Sequence, residues 1–361
     1  MNRITNTLAL AGIILSIFSS SCKKDLKDES VAVQKNGAKA NSVHPGLPEP
    51  LVTGLEELQG STVGPDKALY VTAPLAGTIW RVSPKTGDVT LFTTGLPKRI
   101  PGPFYQGSGV VDVAFRGGTA YALVTGVAPD LDGHDIVGIY RVDGPDSYTI
   151  VADIGAWSIA HPPVPAFFVP TGFQYAIETY RNGFIVTDGH HNRVLYVTLD
   201  GEITEVIAFE DIVPTGLAVR GNTIYITEAG PIPHLPENSK LMSISPKSHT
   251  ATEVASAAGL DVGLFVDVEF GFGNTLYALA QGIWDGPFEG APALPNTGAL
   301  LKLKPNGTFS VIADGLNQPT SVEIIGNTAY IITLVGEIWT VDDIADPPFG
   351  HHGKHLLHRH G

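Results

Sequence analysis

The stretch Val213-Pro214-Thr215-Gly216-Leu217-Ala218-Val219, Arg220-Gly221-Asn222, Thr223-Ile224-Tyr225-Ile226-Thr227-Glu228 reads as a strand, a tight turn and a second strand. Apolar and β-branched residues fill both arms, and Gly-Asn between them is turn chemistry. The phrase occurs six times. Its tyrosine position returns as Tyr70, Tyr121, Ile185 (for Tyr), Tyr225, Tyr277 and Tyr330, in steps of about 40 to 64 residues, the range of one four-stranded propeller blade. One such unit cannot bury both faces of its sheet. The six copies are therefore expected to close into a ring, an all-β, six-bladed β-propeller.

Ring closure is legible where a strand is missing. Most copies end in a fourth strand followed by Gly-Leu, as in Leu91 to Leu96 or Val311 to Leu316, but the last runs from Trp339-Thr340-Val341 into Asp342-Asp343 and Pro347-Pro348. Pro50-Leu51-Val52-Thr53-Gly54-Leu55 has the fourth-strand pattern with no strands before it. It is expected to complete the last blade, which removes two open sheet edges at once. The propeller then spans residues 48–344.

Composition agrees with a turn-rich globular protein: 43% hydrophobic and 16% charged, with 41 Gly and 27 Pro among 361 residues. The formal charge of −14 argues against nucleic acid as a partner, since phosphate-binding surfaces need clustered Lys and Arg. The N-terminus reads as a targeting segment. Arg3 supplies a basic n-region, Leu8 to Phe18 a short apolar stretch, and Ser19-Ser20-Ser21 precedes Cys22, the only cysteine. Residues 1–21 are expected to be a lipoprotein signal peptide, with acyl chains on Cys22 binding the membrane. Residues 22–47 read as a flexible polar tether. Lys23-Lys24-Asp25 and Lys27-Asp28-Glu29 resemble the charged export signal of surface lipoproteins of Bacteroidota. The expected location is the cell envelope, as an outer-membrane lipoprotein. Residues 345–361 form a tail with His351, His352, His355, His358 and His360, which could bind a transition metal or be a low-complexity end.

Strand parity separates two faces. In an antiparallel blade, the connections between strands one and two, and three and four, leave on one face, and the remainder leave on the other. The first set is short, as at Gly64 to Lys67, Arg116 to Gly118 and Gly326-Asn327. The second holds the long insertions Pro97 to Ser108, Gly126 to Val137, Gly155 to Phe168, Ala229 to Ser239 and Gln281 to Thr297. Function is expected on this elaborated face. Its rings and polar groups include Trp157, His161, Phe168, Asn192, His234 and Trp284, suited to stacking on a ligand or to packing on one another as a lid.

Two acid pairs stand out. Three residues after the tyrosine position the copies read Ala73, Val124, Asp188, Glu228, Ala280 and Thr333, and Asp188 leads into Gly189-His190-His191-Asn192. Asp188, His190, His191 and Glu228 could hold a divalent cation or supply a general base; equally, the acids could accept backbone hydrogen bonds at the rim. On the innermost strands one row reads Gly60, Asp112, Gly172, Gly216, Asp267 and Ser321. Asp112 and Asp267 then face each other across the channel, either for an ion or water or as acceptors for neighbouring backbone donors.

Several phrases resemble the ScyD/ScyE family of secreted bacterial propellers, near the SMP-30/gluconolactonase-like and NHL-type propellers. They are Val63 to Val71, Val111-Asp112-Val113-Ala114-Phe115, Thr187 to Leu195, and Val213-Pro214-Thr215-Gly216-Leu217. The resemblance implies a six-bladed ring and, through its name, an association with synthesis of the pigment scytonemin. Lactonase relatives hold a metal with a Glu, two Asn and an Asp. Asp188 matches the Asp, whereas Val169, Val213 and Gln318 stand where Asn would precede Pro, and Glu56-Glu57-Leu58 lacks the Glu-x-Pro pattern. Streptogramin-lyase-like propellers use a His and a Glu, which His190 or His191 with Glu228 could imitate. Together the sequence favours a non-enzymatic module for a small molecule, a glycan or an envelope protein. The alternative is a hydrolase or lyase using the acid and histidine set, with a divalent cation as its candidate cofactor.

Overall fold

The fold is a computed structural model that describes residues 45–101, 108–166, 168–286, 288 and 290–345. Cys22, the expected targeting segment and the five tail histidines lie outside these residues. Six four-stranded antiparallel sheets form the blades of a propeller. Their first strands, Ser61–Val63, Gly109–Arg116, Gln174–Tyr180, Pro214–Arg220, Gly263–Phe270 and Pro319–Ile325, line a central channel. The last blade is closed by Glu49–Val52, which pairs antiparallel with Ile338–Val341 through Glu49↔Thr340 and Pro50↔Trp339. Both ends of the ring are thus hydrogen-bonded into one sheet, with Glu49–Val52 as the outer strand of the last blade.

The apolar core is itself a ring. A cluster of buried side chains sits at each junction between neighbouring blades. At the seam, Leu58, Val71 and Val82 of blade one pack with Ile332 and Ile338 of blade six. The recurring tyrosines belong to this layer. Tyr70 meets Phe92 and Phe115 edge-on at 4.8 and 4.6 Å, while the Tyr330 hydroxyl donates to the Pro84 carbonyl of blade one (3.1 Å) and that of Tyr277 to the Ile344 carbonyl (3.1 Å). Each ring buries apolar area and keeps its polar tip paired at the plain face.

Among the described residues the α-helix lies on the elaborated face, along with short 3-10 turns at Pro129–Leu131 and Pro236–Asn238. Residues Ile154–Ala160, inside the insertion between blades two and three, form a helix. The Asp153 carboxylate caps it by accepting from the Ala156 N–H at 2.7 Å. The strand pattern around it gave no helical period long enough to announce so short an element.

Candidate functional site

The register of first on second strands defines the channel wall. Opposite the six tyrosine positions lie Thr62, Ala114, Glu178, Ala218, Glu269 and Glu323. Two residues earlier on the same strands come Gly60, Asp112, Ala176, Gly216, Asp267 and Ser321, and one before those Gln59, Val111, Tyr175, Thr215, Val266 and Thr320. The expected row placed Gly172 in blade three, and this is corrected to Ala176. Gln174 pairs with Asp188 as Pro214 pairs with Glu228 and Pro319 with Thr333. The Ala176 N–H donates to Thr187 Oγ1 (3.0 Å) just as the Gly60 N–H donates to Thr72 Oγ1 (2.9 Å). Val169-Pro170-Thr171-Gly172 copies the wording of the motif but belongs to the turn before the strand, where Gly172 has φ +73°.

The corrected register puts Tyr175 where blade four has Thr215. Its ring enters the channel, and its hydroxyl donates to the Thr320 carbonyl of blade six, opposite, at 3.3 Å. Burial, with Asp267 and Asp112 below it, pushes its pKa well up, so it is a neutral donor at physiological pH. Tyr175 forms the floor of a cavity of about 670 Å³ that opens on the elaborated face. Phe173, Phe209, Val213 and Ile232 supply apolar wall; Gln59, Gln174, Gln281, His190 and His234 supply polar groups. This volume and mixed lining suit a small organic ligand.

Both of these histidines are uncharged at neutral pH. Burial pushes His190 down to about 4, and its ring lies 4.9 Å from that of Phe173. Burial also lowers His234, whose Nδ1 donates to the Gly230 carbonyl at 2.6 Å. With Nδ1 carrying the hydrogen, Nε2 is the acceptor of the neutral ring. Among the described lining residues, the charged side chains are Glu210 and Asp211, both exposed at the mouth.

The acid and histidine set from the sequence does not assemble in this cavity. Asp188 is buried at 0% exposure and its Oδ2 lies 3.1 Å from Arg193 Nε and 3.0 Å from His191 Nδ1. His191 Nε2 must donate to the Val169 carbonyl at 3.0 Å. Arg193 also donates to Ser158 Oγ (2.9 Å) and the His161 carbonyl (2.8 Å), and lies 4.8 Å from the Trp157 ring. The network therefore fastens the short helix to blade three. Trp157 and His161 stack at 4.4 Å as part of the same packing. Glu228 occupies the equivalent place in blade four, opposite Lys240, which reaches outward to Glu253 at 2.9 Å. Burial raises Glu228 to about 7, against the opposing pull of Lys240. Asp188 and Glu228 are thus the acid ends of two copies of one cross-strand arrangement, and neither lines the cavity, whereas His190 and His191 do.

The remaining ligand candidates divide likewise. Asn192 lines the cavity, but its Oδ1 accepts from the N–H groups of Ile212 (2.9 Å) and Val213 (2.8 Å), holding the next blade's entry. Trp284 supports the wall from behind, edge-on to His234 at 5.3 Å and donating to the Ala291 carbonyl at 2.8 Å. Phe168 is 72% exposed on the rim. Phe173, Tyr175 and Phe209 went unnoticed at the sequence level. A register that followed the second strands rather than the Pro-Thr-Gly wording would have found Tyr175.

Below Tyr175 lies a second cavity, of about 590 Å³, open at the plain face and lined by Asp112, Glu178, Asp267, Glu269 and Glu323. Asp112 accepts from the Ile177 N–H of the next blade (2.8 Å); Asp267 accepts from the Val322 N–H (2.8 Å) and Ser321 Oγ (2.9 Å) of its next blade. Gly60 and Gly216 make room for them: a Cβ on either would lie 2.3 or 2.6 Å from the facing carboxylate oxygen. Burial raises all five carboxyl pKa values, Asp267 to about 7.

Among the described residues no group of three or more His, Cys, Asp or Glu is placed to hold a metal ion. Asp188, the position a lactonase-type ion would use, already faces the Arg193 guanidinium, whose charge opposes a cation there. The residues do not fit that ion.

No family profile and no curated protein sequence matches the chain. Solved structures do. A gluconolactonase from Xanthomonas campestris aligns with a TM-score of 0.57 at 11% identity, over 85% of this chain and 96% of that one. A putative oxidoreductase (glucose dehydrogenase) from Thermus thermophilus aligns at 0.56 with 16% identity, over 81% and 99%. The PQQ-bound aldose sugar dehydrogenase of Streptomyces coelicolor aligns at 0.55 with 16% identity, over 82% and 98%. At these identities the likeness is one of fold.

Proposed function

We propose that the chain is a lipid-anchored cell-envelope propeller of the ScyD/ScyE type whose upper cavity binds a small organic molecule without transforming it. The observation that carries the reading is the Tyr175 floor. It converts a through-channel into a closed cup of ligand size, walled by aromatic rings and neutral hydrogen-bonding groups. The charged groups at its mouth are carboxylates, which favours neutral or cationic ligands over anions. The hydrolase or lyase alternative needs a reactive acid or base in the cup. Of its four residues the two histidines reach the lining, one held neutral by burial and the other tied to Val169 and Arg193.

Acylation of Cys22 would hold the protein at the cell envelope. The Gly46 N–H bonds to the Asp342 carbonyl at 2.8 Å, at the plain-face end of the closing strand. Cys22→Ala is expected to release the protein from the membrane fraction; continued membrane association would remove the anchor from the proposal. For the cup, thermal-shift screening against uncharged and cationic aromatic metabolites and short glycans is the test. Stabilisation of the native chain that Phe173→Ala reduces about tenfold in apparent affinity is expected. Binding indifferent to Phe173→Ala, or turnover of a bound compound, would sink the reading.

A further inference from the structure

The rim of the cup carries a group of exposed apolar side chains. Its loops expose Val164 at 98%, Ile159 at 58%, Ile232 and Ile283 each at 47%, and Leu294 at 40%. Elsewhere the plain-face end exposes Leu47, Leu199 and Phe272, and the outer strands expose Leu91, Ile150 and Val311, as protein surfaces ordinarily do. Of the rim residues, Val164, from the loop before blade three, and Ile232, from a loop of blade four, line the cavity itself.

Charge on these loops is of one sign. The stretches 154–173, 189–192, 209–213, 229–239, 257–262 and 283–297, which build the rim around blades three to five, contain no Lys or Arg. Interleaved with the apolar side chains are Glu210, Asp211, Glu237, Asp261 and Asp285, all exposed. Elsewhere on this face, Lys98 and Arg99 sit between blades one and two, where Arg99 is paired with Glu57. A surface that is both apolar and uniformly acidic selects its occupant. Anionic lipid headgroups are repelled by it. A second copy would bring the same carboxylates against themselves.

We propose that this rim is a docking surface for a partner polypeptide, one that presents aliphatic or aromatic side chains spaced with Lys or Arg. The apolar side chains supply desolvated contact area, and the carboxylates steer the partner and set its register. The inference concerns the rim and stands apart from the small ligand of the cup.

The test uses the full-length chain and fluorescein-labelled peptides that alternate Lys with Leu or Trp, beside counterparts carrying Glu for Lys and Ser for Leu and Trp. Fluorescence anisotropy is expected to show the Lys/Leu/Trp series binding at least about tenfold more tightly than either counterpart, with affinity falling as salt rises. The triple variant Ile159→Ser, Phe168→Ser, Ile283→Ser should lose about tenfold, and Glu237→Gln, Asp261→Asn, Asp285→Asn should flatten the salt dependence, both with unchanged circular dichroism. No binding by the basic series overturns the proposal, as does binding that neither variant alters. Sedimentation with anionic vesicles, or concentration-dependent dimerisation, that the Ser variant abolishes would assign the face to a membrane or a second copy instead, and also overturns it.

Discussion

The two mouths of the channel are built by the same six strands and yet differ in chemistry. Above Tyr175 the walls are aromatic and amide side chains with uncharged histidines, and the loops that frame them vary in length from blade to blade. Below it the wall is mostly strand residues, with Lys67 and Gly326 from the turns, and carboxyl groups dominate. Positions one to three residues apart on one strand, Val266 with Asp267 or Tyr175 with Glu178, serve opposite ends. A repeat therefore lets one end specialise through its insertions while the other keeps the blades in register. The lower acids clamp the next blade's backbone, and Gly60 and Gly216 make space for that clamp.

The contrast depends most on Tyr175. Tyr175→Thr restores the residue that blades four and six carry and should join the two cavities. Loss of the buried ring is expected to cost about 2–4 kcal/mol of stability, read by denaturant unfolding, and to abolish ligand-induced stabilisation of the cup. A variant that keeps wild-type stability and ligand response would mean that the floor is formed by other groups and that the two mouths are not separated as described.

A smaller effect separates the mouths by pH. Asp267 has its pKa raised to about 7 from an ordinary value near 4. In the unfolded chain it ionises first, so the native state binds more protons between these values. Its contribution to stability is complete below about pH 4 and is lost as pH rises through about 7. Asp267→Asn keeps an acceptor for the Val322 N–H and removes the titration. The mutant's melting temperature should fall less than that of the wild type between pH 4 and 7, the window sets from this shift. Parallel pH profiles for the two proteins would mean that the lower acids are not held protonated by their burial, and the electrostatic half of the comparison would fail.

The elements that were legible in the sequence are those governed by local pattern. Alternating apolar residues, Gly-Asn turns and the spacing of Tyr70, Tyr121, Tyr225, Tyr277 and Tyr330 define blade count, and the orphaned Glu49–Val52 segment defines closure. The elaborated face followed from strand parity. The site itself was only partly readable. Asn192 and His234 do line the cavity, but Asp188 and Glu228 are buried outside its lining, in cross-strand register with Arg193 and Lys240, partners that only a known register reveals. Pro170-Thr171-Gly172 misled because wording resembles register without fixing it. A four-residue shift placed Tyr175, rather than a glycine-flanked threonine, in the channel.

Sequence by itself determined the fold class of this protein, because period-two patterning and turn chemistry act over a few residues and repeat. Tertiary structure alone decided which side chains meet across the channel. Tyr175 and Thr320 lie 145 positions apart, and neither residue's type announces the other. Their contact exists because six blades close on one axis, and that closure makes a tyrosine in blade three the floor of a cup.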